Sequence, residues 1–190
     1  MQPETETFHH SLFSAELHAD TLLWDRDLLR RSAHGHVDLP RLQEGNVGLQ
    51  VFGTVTRVPL FLRLDRNGDR PDAVKPIVCS QHWPESTSTP LGRALYQAEK
   101  LQDRVESSVG AMLDPEGAHA LEDDLANLDR LYAAGFHILT LSHLFDNPFA
   151  GSARWKSKGG LTPLGKALVA AAEQKAMVID LAHASPKAIE

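Results

Sequence analysis

The chain has 190 residues, with 19 Lys and Arg against 25 Asp and Glu, so its formal net charge is −6 with His neutral. That balance argues against a nucleic-acid binder working through a basic face. Apolar residues make up 42%, and the 13 Gly bring this to roughly half, as in soluble globular chains and unlike wholesale disorder. Cys79 is the single cysteine, which excludes an intrachain disulfide and a zinc site built on a cysteine pair. The N-terminus has neither a basic n-region nor an apolar h-region, and no apolar run approaches the ~18 residues of a bilayer span. A cytoplasmic protein without a membrane segment is the expectation. The 10 histidines stand out against 2 Tyr and 3 Met, and histidine is both the commonest metal ligand and a frequent acid-base group.

Periodicity and punctuation predict strands and helices in alternation. Ala15 to Asp20 reads as a short strand. Asp38 caps a helical turn through Leu42, with Pro40 tolerated in the first turn. Val47 to Val55 is a second strand, rich in β-branched residues. Residues 56–90 dissolve into Pro, Asp, Arg, Ser and Thr and read as one long surface loop, either a functional lid or a variable insertion. Leu91 to Ser107 has helical spacing, and Val109 to Leu113 is a short strand before Glu116 and Gly117. Ala118 to Ala134 reads as one amphipathic helix with Leu121, Leu125, Leu128, Leu131 and Tyr132 on its stripe and Gly135 past its end. Phe136 to His143 is the clearest strand. Thr162 and Pro163 open a helix to about Lys175, Met177 to Leu181 reads as a strand buried on both faces, and Ser185-Pro186 starts a further helix. Five strands with helical crossovers predict a single α/β domain with a parallel sheet, residues 1–190.

The polar residues of interest fall after those strands, on the face where (β/α) barrels build active sites. His18 and Asp20 are two apart, so on a strand both side chains point to one side and could grip one metal ion; a surface hydrogen-bonded pair is the plainer alternative. Glu116 could ligate or bridge metals, with Gly117 allowing close approach, or it could simply favour a helix N-terminus. His143 and His183 each end a strand, where a satisfied core histidine is the alternative. Together the four positions offer the oxygen and nitrogen donors that suit divalent zinc. Asp65 to Asp69 resembles a calcium loop superficially, but its glycine is misplaced and no closing Glu follows, so it reads as a β-turn. His9, His10, His34, His36 and His82 read as solvated, His119 and His137 as flanking residues. No G-x-S-x-G elbow supports serine catalysis.

Five motifs in order carry a resemblance over Leu17 to the last residue: HADT at His18–Thr21, GHVDLPRLQEGNVGLQVF at Gly35–Phe52, EGAHAL at Glu116–Leu121, LTLSHLFDNPFAGS at Leu139–Ser152, and GLTPLGKALV with VIDLAHAS within Gly160–Ser185. With these the sequence resembles the membrane (renal) dipeptidase family of zinc metallopeptidases, family M19. The resemblance implies a (β/α)8 barrel with a binuclear zinc centre: His18 and Asp20 on the first zinc, Glu116 bridging both, His183 on the second, and His143 as a catalytic, substrate-binding histidine near the oxygen of the tetrahedral intermediate. The implied reaction is hydrolysis of dipeptides by a water that two zinc ions activate, without a protein nucleophile. The family's second histidine for the second zinc, its carboxylate-binding arginine and an aspartate near the eighth strand fall beyond Glu190. The expectation is therefore about five of eight β/α units, an incomplete second zinc site and a chain that is a piece of the enzyme. The third strand is also short, which loosens the placement of Glu116. Another metal-dependent amide or lactone hydrolase of barrel fold, or a non-catalytic fragment, stays open as an alternative. A dipeptide is the expected partner, nucleic acid is not, and a homodimer is left open.

Overall fold

The computed structural model describes residues 3–63, 65–68, 70–102 and 109–190. Its strands are β1 (Ser14–Ala19), β2 (Val47–Thr54), β3 (Gly110–Pro115), β4 (Ile138–Thr140) and β5 (Val178–Asp180). All five predicted strands are present, and every strand pair is parallel. The order is β1-β2-β3 in one sheet and β4-β5 in another. Among the described residues, a parallel bridge from Leu113 to Phe136 and a hydrogen bond from Ala118 N–H to the Leu141 carbonyl at 3.3 Å link the two sheets along the backbone. Side chains complete the joint. Asp114 accepts the Thr140 N–H at 3.0 Å through Oδ1, and the Thr140 hydroxyl lies 2.7 Å from Asp114 Oδ2 and 3.0 Å from Asp180 Oδ2. Burial pushes the Asp114 carboxyl up to about 7.

Alternation along the strands sorts residues onto two faces. Phe52, Leu113, Leu139 and Leu141 turn to the helices and join the main core. There they meet α4 (Pro90–Gln102) through Leu91, Ala94, Ala98 and Leu101, and α6 (Pro163–Gln174) through Leu168 and Ala172. Helix starts follow the predicted caps: Asp38 accepts from the Arg41 N–H ahead of α2 (Leu39–Glu44), Thr162 from Gly165 N–H ahead of α6, and Ser185 from Ala188 N–H ahead of α7 (Pro186–Ile189). Residues 103–107 of the predicted fourth-helix span lie outside the described residues.

Four expectations change. First, an unanticipated helix α1 (Pro3–His10) precedes β1, tied to the C-terminal end of α2 by His9 Nε2 and the Gly45 carbonyl at 2.8 Å. Second, residues 56–90 are not a long loop: they carry α3 (Val74–Ser80) and a 3-10 turn, and Leu23, Val55, Val74, Val78 and Trp83 form a small core of their own. Asp72 holds this segment, accepting from Val58 and Val74 N–H and pairing at 2.6 Å with buried Arg93. Third, Ala118 to Ala134 breaks in two, a 3-10 turn at Ala118–Leu121 and α5 (Asn127–Ala133), because Glu122 and Asp123 take left-handed φ of 53° and 62°. Tyr132, within α5, is 36% exposed while Leu128 and Leu131 are buried. Fourth, β5 is not buried on both faces. Val178 is 56% exposed on the concave face, where Leu17 of β1 is 69% exposed.

Candidate metal centre

The concave face forms a cleft of about 430 Å3, and His18, Glu116 and His183 line it with Asp114, Thr140 and Asp180 below. The site residues arrive at the C-terminal ends of four strands. His18 is the penultimate residue of β1 and Asp20 lies just past its end. Glu116 follows β3 directly, its N–H bonded to the Thr54 carbonyl of β2. His143 lies three residues past β4. His183 lies three past β5, in a left-handed turn with φ 63° that re-aims the chain.

The structure brings all five together. His18 Nε2 is 3.0 Å from Asp20 Oδ1 and 3.0 Å from Glu116 Oε1. Glu116 turns its other oxygen, Oε2, to His143 Nε2 at 3.6 Å. The His143 and His183 rings meet edge-on at 4.8 Å. Two donor groups result, His18 with Asp20 and Glu116, and Glu116 with His143 and His183, each with one donor atom per residue all within 4.8 Å of one another. Glu116 belongs to both.

Electrostatics favour a cation here. Hydrogen bonding to Asp20 and then Glu116 raises the His18 imidazole to about 10, so a positive charge is held between two carboxylates. Burial pushes His143 and His183 below their ordinary value, which keeps both rings neutral and able to donate a lone pair. The Nδ1 atoms of His143 and His119 are buried without a hydrogen-bond partner among the described residues. The wall opposite His18 is Gly53, where a Cβ would stand 2.8 Å from His18 Cε1 and 2.9 Å from Asp20 Oδ1. Mixed imidazole and carboxylate donors, a glycine cradle and a charge already stabilised by two acids fit a divalent ion of the zinc type.

His119 was not anticipated. It is 8% exposed, its Nε2 is 2.8 Å from Thr56 Oγ1, and its ring packs 4.7 Å from that of Phe145. Burial, then the neighbouring His143 and Arg57, holds its pKa down to about 3. The usable signal was the uncharged run Gly117 to Leu121, which marks a buried turn. Asn67, read within a surface β-turn whose Asp69 lies outside the described residues, is 1% exposed. It ties two loops together, donating through Nδ2 to the Leu144 carbonyl and accepting at Oδ1 from Arg63 N–H. His34, His36, His82 and His137 are exposed, and none joins the cluster.

Residues 4–190 match the family model described as membrane dipeptidase, peptidase family M19. The chain belongs to this family. Among curated relatives, Dipeptidase 3 of Mus musculus is 30% identical over 169 residues, covering 83% of this chain and 31% of its own length. An uncharacterised dipeptidase of Schizosaccharomyces pombe is 26% identical over 169 residues, 80% of this chain and 40% of that protein. The chain thus spans less than half the length of these relatives. A solved metallopeptidase from Rhodobacter sphaeroides, liganded with a phosphinate mimic of the dipeptide L-Ala-D-Ala, matches with a TM-score of 0.62 at 21% identity over 93% of this chain and 60% of its own. That likeness shows a common fold. No helix among the described residues is long and apolar enough to cross a membrane.

Proposed function

We propose that the protein is a zinc-dependent dipeptidase working through a binuclear centre, with His18 and Asp20 on one ion, His183 on the other and Glu116 between them. The observation that carries this reading is that the two oxygens of Glu116 face two different donor groups, as a bridging carboxylate must. Membership of the M19 family and the fold shared with a dipeptide-mimic-bound metallopeptidase support it. In this reading the five parallel strands belong to a (β/α)8 barrel, whose catalytic face is the C-terminal strand end.

Bound zinc would supply Lewis acidity toward a peptide carbonyl and lower the pKa of water toward neutrality. The chain's residues do the rest. Glu116, 4% exposed and anchored by its own N–H on β2, keeps the two donor groups in fixed register. His143 stays neutral because it is buried, so one ring nitrogen carries a proton for an oxyanion developing at the scissile carbonyl. The cleft, of about 430 Å3, admits a small substrate.

Elemental analysis and turnover of alanyl dipeptides, in the natural full-length protein and in a His18→Ala, Asp20→Ala double variant, test the proposal. Two zinc ions per chain, with loss of metal and activity together in the variant, are expected. Absence of zinc, or undiminished hydrolysis in the variant, overturns it.

A further inference from the structure

The His143 and His183 rings meet at 4.8 Å, yet each residue lies three past the end of its strand, where the β4-β5 ladder no longer fixes one against the other. A third piece of chain holds their backbones instead. The Ser152 hydroxyl, in the loop after β4, donates to the His143 carbonyl, and the N–H of the next residue, Ala153, donates to the His183 carbonyl at 2.8 Å. Gly151, just before them, offers its carbonyl to the Ser142 hydroxyl at 3.1 Å and to the Ser185 N–H at 3.0 Å. Three consecutive residues thus grip the chain around both rings at once.

Ser152 is the centre of this bracket, forms a β-bridge with Ala184 and is 0% exposed. Each of its polar atoms has a partner. Its N–H goes to Asp146 Oδ1 at 2.7 Å, its carbonyl takes the Trp155 N–H at 3.2 Å, and its hydroxyl oxygen accepts the Arg154 N–H at 3.0 Å. The one hydroxyl proton is therefore committed to the His143 carbonyl, which can only accept. A buried network with every member satisfied specifies a single arrangement. The bracket also accounts for the left-handed φ of 63° at His183, a conformation that a non-glycine residue keeps only where its surroundings over-determine it. The Ala153 bond and the Ser152–Ala184 bridge act on that residue and the next.

We propose that Ser152 is a positioning residue: it sets His143 and His183 against Glu116 and so shapes the second donor group, while His18 and Asp20 of the first do not depend on it. This inference rests on the binuclear reading above for the ion held there, and not on the substrate.

The test titrates the metal-free full-length protein, carrying isotope-labelled histidine, with zinc under NMR observation, so that the His18 ring reports one donor group and the His183 ring the other. In Ser152→Ala, zinc affinity read at His183 is expected to fall roughly 10- to 100-fold, the usual effect of disturbing the partners of a metal ligand, while that read at His18 is unchanged. Before zinc is added, the same substitution should already move the His143 and His183 resonances and not that of His18. Ser152→Thr, which keeps the donor, should restore the parent's affinity at His183. Thr87→Val deletes a hydroxyl just as buried, bonded to the Pro84 carbonyl and outside the cleft, and should alter neither affinity. Equal weakening at both groups would show that Ser152 serves stability alone, and an unmoved His183 affinity would show that the bracket holds without it; either overturns the inference. If Ser152→Ala does not fold, Asp146→Asn loosens the same bracket from its outer side and is judged by the same two affinities. A parent that binds both ions but turns over no alanyl dipeptide removes the dipeptidase reading and leaves this inference standing, whereas a His183 ring that never responds to zinc overturns both.

Discussion

Gly53 of β2 and His18 of β1 compete for one volume, since a Cβ on Gly53 would stand 2.8 Å from His18 Cε1, inside any van der Waals contact. Asp20 Oδ1 would be 2.9 Å away from the same atom, so both donors of the first group lean on the missing side chain. The backbone of Gly53 is not left-handed, and alanine can adopt it. Gly53→Ala should therefore fold, with an unaltered circular dichroism spectrum, while displacing both ligands. Zinc affinity measured by chelator competition is expected to drop at least about tenfold, the scale seen when shells around metal ligands are disturbed. Unchanged affinity would mean that His18 and Asp20 do not hold the ion.

His143 is a member of the second donor group, yet its proposed role is with the substrate. His143→Ala should lower kcat roughly 10²–10³-fold, as removal of an oxyanion donor does elsewhere, with zinc content unaltered. Metal loss on dialysis of this variant would reassign His143 as a ligand.

Burial holds the His119 pKa at about 3 against 6.5 in the open chain. As pH falls below 6.5 the unfolded chain takes up a proton that the folded chain refuses, so this group's share of stability is intact above 6.5 and is lost on the way down to about 3. His119→Gln leaves an amide to meet Thr56 and removes the titration. Denaturant unfolding of the metal-free protein between about pH 4 and 6 should then show a shallower dependence on pH, by up to ~1.4 kcal/mol per unit. Superimposable slopes would show that His119 is solvated.

Thr140 supplies one hydroxyl to Asp114 and Asp180 at the seam between the sheets. Thr140→Val keeps the shape and removes that partner, leaving the Asp114 Oδ2 atom unsatisfied at a residue only 3% exposed. A loss of about 1–3 kcal/mol is expected from chemical denaturation. A variant as stable as the parent would place water at this position.

The strands and the donor cluster were legible because alternation, β-branched runs and turn residues are local, and because strand ends in a parallel sheet share one face. Asp38, Thr162 and Ser185 announced their helices for the same reason. What escaped depends on tertiary partners. The stripe from Leu121 to Leu131 fits one helix, but Asn127 Nδ2 bonds the Leu121 carbonyl and Asp124 takes the Ala126 N–H, which makes a break as well satisfied as a helix would be. Residues 56–90 are interrupted by Pro, Asp, Arg, Ser and Thr, and what orders them is Asp72, held by the distant Arg93 together with the Val58 and Val74 N–H groups. Alternation in β5 gave no sign of how open its concave side is, since an apolar pattern reports suitability for burial and not the presence of a cover.

The seam between β3 and β4 carries no continuous ladder among the described residues, only the Leu113 to Phe136 bridge and the Ala118 N–H to Leu141 carbonyl bond. Glu116 stands on one side of it and His183 on the other, so an ion held by both would act as a rivet across two separately hydrogen-bonded sheets. Binding energy at that ion is available only when the halves are docked, and it adds to docking as ligand free energy adds to any state that alone can bind. Metal occupancy and closure of the seam are then one equilibrium. The protein would carry its catalytic ion partly as mortar, and a change anywhere along β3 or β4 that loosens the joint would be felt as weaker metal binding before any ligand had been touched.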